Sequence, residues 1–248
     1  MPAKSRQRTN KSAATPARRR RKARPVRRFV RRVVFAIAII ILMPIVLLPV
    51  YSAVNPPITT VMIAKRIAGA SIIKAWRPIE AISPHLVRAV IVAEDARFCA
   101  HAGIDWQQVE EVLLDADDGG ALRGASTITM QTVKNLFLWS GRSWLRKGLE
   151  VPLALYADAV LSKRRIMEIY LNIAEWDKGV YGAEAAARHY FGISAARLGV
   201  MQAARMAATL PAPRLRDPAR PGRTTGRLAG VYARRAAAAG PYVACVLN

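Results

Sequence analysis

Apolar residues recur at spacings of three and four along most of the chain and strict alternation is scarce, so the pattern predicts a nearly all-helical protein. The longest apolar run, "VVFAIAIIILMPIVLLPV" at residues 33–50, lies in a stretch with no charged side chain between Arg32 and Lys65. Extended by "YSAV", it reaches the length of about 20 residues that crosses a hydrocarbon core. This predicts a transmembrane helix over residues 33–54, with Pro44 and Pro49 as tolerated kinks and Tyr51 at the far interface. "VMIAKRIAGASIIKAW" then reads as amphipathic, suited either to a membrane surface or to packing on the domain.

Farther on, "SPHLVRAVIVAED" predicts a helix with Ser83 at the N-cap and Pro84 at its first position. "DWQQVEEVLLDA" predicts another, capped by Asp105 and ended by the turn signal "DDGG". "STITMQTVKNLFL" suits a helix entered through Ser126 and Thr127. Residues 143–176 form one long helical pattern opened by Ser143, with a kink expected at Pro152. "GAEAAARHYFG" and "SAARLGVMQAARMAATLP" add two short helices, the second opened by Ser194. A turn-rich basic stretch, "PRLRDPARPGRTTGR", precedes a last helix, "LAGVYARRAAAA". No repeat of fixed period occurs.

Charge changes this picture at one end. The 248-residue chain carries a formal +23, yet residues 1–32 hold 14 Lys and Arg, and the first acidic residue is Glu80. From Glu80 onward, 21 basic residues face 16 acidic ones, so the excess belongs mainly to an arm and gives no reason to expect nucleic-acid binding. Basic residues stay on the cytoplasmic side of a first span. The expected organisation is therefore a basic cytoplasmic arm (1–32), a transmembrane helix (33–54) and an extracytoplasmic domain (55–248). A cleaved twin-arginine export signal is the lesser alternative, since the apolar core is long and no clear small-residue cleavage site follows. Cys99 and Cys245 are read as two unpaired thiols, because two cysteines make no disulfide framework. His85, His101 and His189 stand apart and no Cys-x-x-Cys occurs, so no metal site is expected.

Candidate chemistry begins with carboxylates beside apolar sequence: Glu94 with Asp95 at the end of "HLVRAVIVAED", and Glu150 in "RKGLEVP". Burial raises a carboxylate's proton affinity and makes it a base near neutrality. Glycosyl chemistry commonly divides its work between two such groups. For Glu150, a plain ion pair with Arg146, one helical turn earlier, competes with a catalytic role. Along "STITMQTVKN", helical spacing puts Thr127, Gln131, Lys134 and Asn135 on one face, away from Ile128 and Val133. With Ser126, Arg142, Arg146 and Lys147 nearby in sequence, such a face suits phosphate oxygens.

Five ordered motifs, "EDARFCAHAGIDW", "GASTITMQTVKNLFL", "RKGLE", "KRRIMEIYLNIAEW" and "GVYGAEAAARHYFG", resemble those of the family 51 glycosyltransferases, the peptidoglycan polymerases. The likeness covers about residues 60–240 and is nearest to the monofunctional, single-anchor branch of that family. It implies a mainly α, lysozyme-like glycosyltransferase domain behind one transmembrane helix in the bacterial inner membrane. It further implies Glu94 as the base that deprotonates the sugar 4-hydroxyl of lipid II, and Glu150 as a second carboxylate on the donor side. Lys134 and Arg142 would bind the diphosphate. Arg97 would contact substrate, together with Ser126, Thr127, Gln131, Asn135, Arg146 and Lys147. The partners implied are lipid II, the lipid-linked glycan chain, the membrane and other cell-wall synthesis proteins. No cofactor is required by the sequence, with a divalent cation as an optional aid.

The chain departs from the family pattern at Met130, which stands in place of a glutamine, at "QQVEEVLLDADD", at "EWDKG" and at Pro152. Two other readings compete: a glycan-cleaving hydrolase on the same scaffold, and an inactive membrane-anchored scaffold. "SIIK" at residues 71–74 has the Ser-x-x-Lys form, but without "SDN" or "KTG" it is a helix face and no transpeptidase.

Overall fold

The computed structural model describes residues 24–117, 124–141 and 143–247. The chain divides into two compact units, before and after the Leu42–Met43 junction. Helix α1 (Arg24–Val50) begins in the first unit, where Phe29, Val30, Val34, Phe35, Ile39 and Leu42 are exposed. Among the described residues, no helix is long and apolar enough to cross a membrane. The side chains of Ala36, Ile37, Ile40 and Ile41, inside the expected span, lie outside that description. The helix itself ends at Val50 and a turn occupies 51–54, so the expected bounds shift by several residues at each end.

In the second unit the last turns of α1 are part of the core. Leu48 is fully buried, and Tyr51 is buried too, stacked on Phe137 with ring centroids 6.3 Å apart. Arg165 holds the exit of the helix: Nε donates to the carbonyl of Tyr51 (2.7 Å) and Nη2 to that of Val54 (2.9 Å).

Helix α2 (Thr60–Ile67) opens with Thr59, whose hydroxyl accepts from the Met62 N–H. The amphipathic stretch read through residue 76 stops here, because Gly69 takes φ +82° and the chain goes on to strand β1 (Ile73–Lys74). "SIIK" is therefore no helix face: it runs into that strand.

Helix α3 (Pro84–Glu94) buries Leu86, Val87, Ala89, Val90 and Ile91. Its expected cap, Ser83, occupies the N-cap position but turns its hydroxyl to the Leu198 carbonyl, 2.7 Å away. Helix α4 (Trp106–Asp117) is capped as expected, with the Asp105 carboxylate accepting from the Gln108 N–H at 3.0 Å. Helix α5 (Ile128–Phe137) starts at Thr127, whose oxygen accepts from the Met130 N–H.

The long pattern that follows forms two helices, α6 (Trp144–Val160) and α7 (Lys163–Ile173). The break falls at Leu161–Ser162, and Ser162 caps α7 through the Arg165 N–H. Helix α6 runs on through Pro152, where a kink was expected, and it is the expected single long helix that is corrected, by the break about ten residues later. Strands β2 (Glu175–Asp177) and β3 (Val180–Tyr181) complete a small sheet of order β1-β3-β2, with β1 parallel and β2 antiparallel to β3.

Helix α8 (Ala183–Phe191) ends at Gly192 in the left-handed conformation. Ser194 opens only a short 3-10 turn, and α9 (Val200–Thr209) begins behind Gly199. Helix α10 (Arg223–Ala237) packs against α3 and α9, and α11 (Ala244–Leu247) rests on α7. The apolar core gathers α3, α5, α7 and α8 around the fully buried Trp176 and Tyr181.

Cys99 and Cys245 are bonded, with Cα atoms 5.6 Å apart, which corrects the expectation of free thiols. Two isolated cysteines say nothing of pairing when the fold brings residues 146 positions apart together.

Gly103 binds the loop after α3 to α6. It takes φ +78°, and a Cβ built there would lie 2.5 Å from the Ala154 carbonyl oxygen, so backbone would have to move. Gly103→Ala is expected to lower stability by about 2–4 kcal/mol, measured as the urea midpoint at unchanged slope. A loss below about 0.5 kcal/mol would show that this close approach is not required.

Candidate active site

The site assembles where the end of α3 meets the first turns of α5. Asp95 is 2% exposed and fixes this junction: its carboxylate accepts from the Ile128 N–H (2.9 Å) and faces His101 Nε2 (2.9 Å). A carboxylate at the N-terminus of α5 is favourably placed for the helix dipole. Thr127 is also structural, buried, and donating to the Gly103 carbonyl at 2.6 Å. Of the adjacent acids, Asp95 is therefore bound to the scaffold, while Glu94 is left for chemistry.

Glu94 Oε2 accepts from Gln131 Nε2 at 2.8 Å, and Gln131 Oε1 in turn accepts from the Tyr170 hydroxyl at 3.2 Å. Tyr170 is buried, and desolvation keeps its phenol protonated far into alkali. The phenol is thus a donor, which fixes the amide with its NH2 toward Glu94. Burial raises the Glu94 carboxyl above its ordinary value, against the lowering effects of the Gln131 amide and of the charges of Lys134 and Arg216. A raised proton affinity is what a general base requires.

One turn beyond Gln131 on α5, Lys134 faces a cleft of about 350 Å³. Gln131, Asn135, Arg146, Tyr170 and Glu175 also line it. Among the described residues, the Lys134 ammonium has no hydrogen-bonding or salt-bridging partner. Burial lowers its proton affinity, while the charges of Glu150 and Glu94 partly restore it. An unpaired, partly desolvated cation in a cleft is poised for an anionic ligand.

Glu150 is 2% exposed, with one oxygen engaged by Arg146 Nη1 and the other by Lys147 Nζ at 3.1 Å. The ion pair with Arg146 read as the competing role is present. It aims the guanidinium at the cleft, which Glu150 itself does not line. Lys147 also donates to the Ser126 hydroxyl (2.7 Å) and lies 3.9 Å from Met130 Sδ, where a glutamine was expected.

The expected face on α5 is thus divided. Gln131, Lys134 and Asn135 reach the cleft, whereas Thr127 belongs to the scaffold and Ser126 to the Lys147 contact. Arg97 lies apart, clasping Asp105 (Nε to Oδ2, 2.9 Å) and Gln107. Arg142 lies outside the described residues. Tyr170 and Arg216 were not singled out in the sequence. The first hides within the "MEIYLN" motif and the second within the turn-rich tail.

Because burial raises Glu94 and the Gln131 amide opposes it, the acidic limb of kcat/KM should lie above the ordinary carboxylate range. Removing the amide in Gln131→Met should move that limb to higher pH, since the carboxylate loses a donor. A limb that stays in place would exclude Gln131 from setting the base.

A family model described as Transglycosylase matches residues 62–236. The chain is 58% identical over 211 residues to the biosynthetic peptidoglycan transglycosylase of Brucella suis biovar 1 (strain 1330), covering 85% of this chain and 94% of that protein. It is 51% identical over 223 residues to the protein of the same name from Agrobacterium fabrum (strain C58 / ATCC 33970), covering 90% and 99%. With the Rhizobium meliloti (strain 1021) counterpart the identity is 50% over 219 residues, covering 88% and 93%. A desolvated carboxylate, the amide that orients it and a cation unpaired among the described residues thus sit within a match that spans most of the chain, and the chain belongs to the transglycosylase family.

Proposed function

We propose that this chain polymerises peptidoglycan strands from lipid II at the outer face of the bacterial inner membrane. The observation that carries the reading is the pairing of a desolvated carboxylate, Glu94, with an unpartnered ammonium, Lys134, through the shared neighbour Gln131. In the reaction, the 4-hydroxyl of lipid II gives its proton to Glu94 as its oxygen attacks C1 of the lipid-linked glycan. The new glycosidic bond forms with inversion. The bond from C1 to the diphosphate breaks, and its electron pair leaves with undecaprenyl diphosphate. Lys134 and Arg146 hold the departing charge, and Glu150 acts by positioning Arg146.

The apolar run at residues 33–50 and the basic arm before it support a single anchor with the N-terminus in the cytoplasm. The Cys99–Cys245 bond supports an oxidising compartment for the domain. A divalent ion would enter on the diphosphate oxygens. Among the described residues no three His, Cys, Asp or Glu side chains converge.

Against a hydrolase stands the cationic cleft, which cleavage of a glycan would not need. The decisive experiment incubates the purified full chain with labelled lipid II, and separately with preformed glycan. Polymer from the first and no shortening of the second is expected. Shortening without polymer would establish the hydrolase, and neither would leave a scaffold.

A further inference from the structure

We propose that a basic pocket beside the catalytic cleft is a subsite for the free carboxylates of the peptide borne by the sugar substrate, an inference that rests on the polymerase reading. The pocket encloses about 410 Å³ and is lined by Arg214, Arg216, Arg220, Asp177, His189 and Tyr190. It adjoins the cleft, since Pro213 lines both. Glu94 lines neither cavity but meets the cleft through Gln131, so a substrate seated at Gln131 and Lys134 reaches this pocket past Pro213.

The charges in this pocket do not cancel. Asp177 is taken up by the Lys178 N–H (2.6 Å) and by His189 Nε2 (3.0 Å). Asp217 accepts from the backbone N–H groups of Ala219 (2.7 Å) and Arg220 (3.2 Å). Arg214 reaches Glu175 at 3.2 Å, but Lys65 already neutralises that carboxylate. Half-buried Arg216 donates to a neutral acceptor, the Ala208 carbonyl, at 2.7 Å, and pairs with no acid among the described residues. Arg220 is exposed and its guanidinium has no partner among them. Three guanidinium groups thus line the pocket with two carboxylates, Asp177 and Asp217, each already held by hydrogen bonds, which leaves an excess of one positive charge and two guanidinium groups without an acid, an arrangement suited to planar anions.

Carboxylate is favoured over phosphate by division of labour. The diphosphate has its own cations in Lys134 and Arg146, and the charges left on a peptide-bearing disaccharide are carboxylates. Arg216 links the two places, because its charge also favours the ionised form of Glu94.

The test compares lipid-linked disaccharide carrying free peptide carboxylates with the same substrate amidated, using the full chain in detergent. The wild type should show a KM about three- to tenfold lower for the free-acid substrate, the effect of one or two exposed charge pairs. Arg220→Glu should abolish that preference and leave kcat and KM for the amidated substrate unchanged, and Arg214→Ala should reduce it. Equal KM values in the wild type, or equal losses on both substrates in Arg220→Glu, would overturn the proposal. So would a variant that keeps its peptide preference but loses binding to phosphatidylglycerol vesicles, which would assign the pocket to lipid phosphate. If the wild type polymerises neither substrate, the polymerase reading fails by itself. Titration with a soluble disaccharide-peptide, read by NMR at residues 213–220, then decides: shifts lost in Arg220→Glu sustain the subsite, and their absence in the wild type overturns it.

Discussion

Glu94→Gln should cut polymer formation by about 10²- to 10⁴-fold, the usual contribution of a general base, without unfolding the protein. The structure explains why the two effects separate. The carboxylate lies in a partly buried place that raises its proton affinity, so the neutral amide removes a desolvation cost while preserving shape. Gln131 can still donate to the remaining oxygen of residue 94, and Asp95, which ties α3 to α5, is untouched. Thermal stability should therefore hold or rise slightly. A variant that polymerises as well as the wild type would remove Glu94 from proton transfer. One that unfolds would show that the carboxylate is part of the scaffold.

Lys134→Met should have the second largest effect, a loss of about 30- to 1000-fold in kcat/KM, in the range found when one member of a desolvated charge pair is truncated. Its signature is the direction of the stability change. A cation whose burial outweighs the attraction of Glu150 and Glu94, and which forms no ion pair among the described residues, opposes folding, so methionine, of similar length, should stabilise the empty protein by about 1 kcal/mol. Loss of activity with gain of stability would mark Lys134 as placed for a ligand. Loss of both would make it a structural residue that acts through Glu150 or Glu94.

Much of this was legible in the sequence, for reasons that differ from residue to residue. Helices with an apolar stripe and a local cap could be read directly, as with Asp105 before α4 and Thr127 before α5. Errors arose where tertiary partners decide. Ser83 has the right position for a cap but its hydroxyl donates to the Leu198 carbonyl and accepts no N–H of the helix, and the one long helix expected from Ser143 breaks at Ser162. Helical spacing placed Gln131, Lys134 and Asn135 together correctly. It could not tell that Thr127, on the same stripe, faces the scaffold. The resemblance found Glu94, yet the contribution of Tyr170 depends on a contact across 39 positions, which no local pattern carries. For the same reason the contact of Arg97 with Asp105, eight positions on, could not be foreseen.

The cysteine bond leads further. It fastens a residue five positions after Glu94 to helix α11, closing a circuit of 146 residues. By chain entropy alone such a closure restricts the denatured ensemble by roughly 5 kcal/mol. The ribosome makes Cys245 146 residues after Cys99, so the bond that closes behind Glu94 waits until the chain through Cys245 has emerged. Changes that displace the segment around Cys245 would thus be felt beside Glu94.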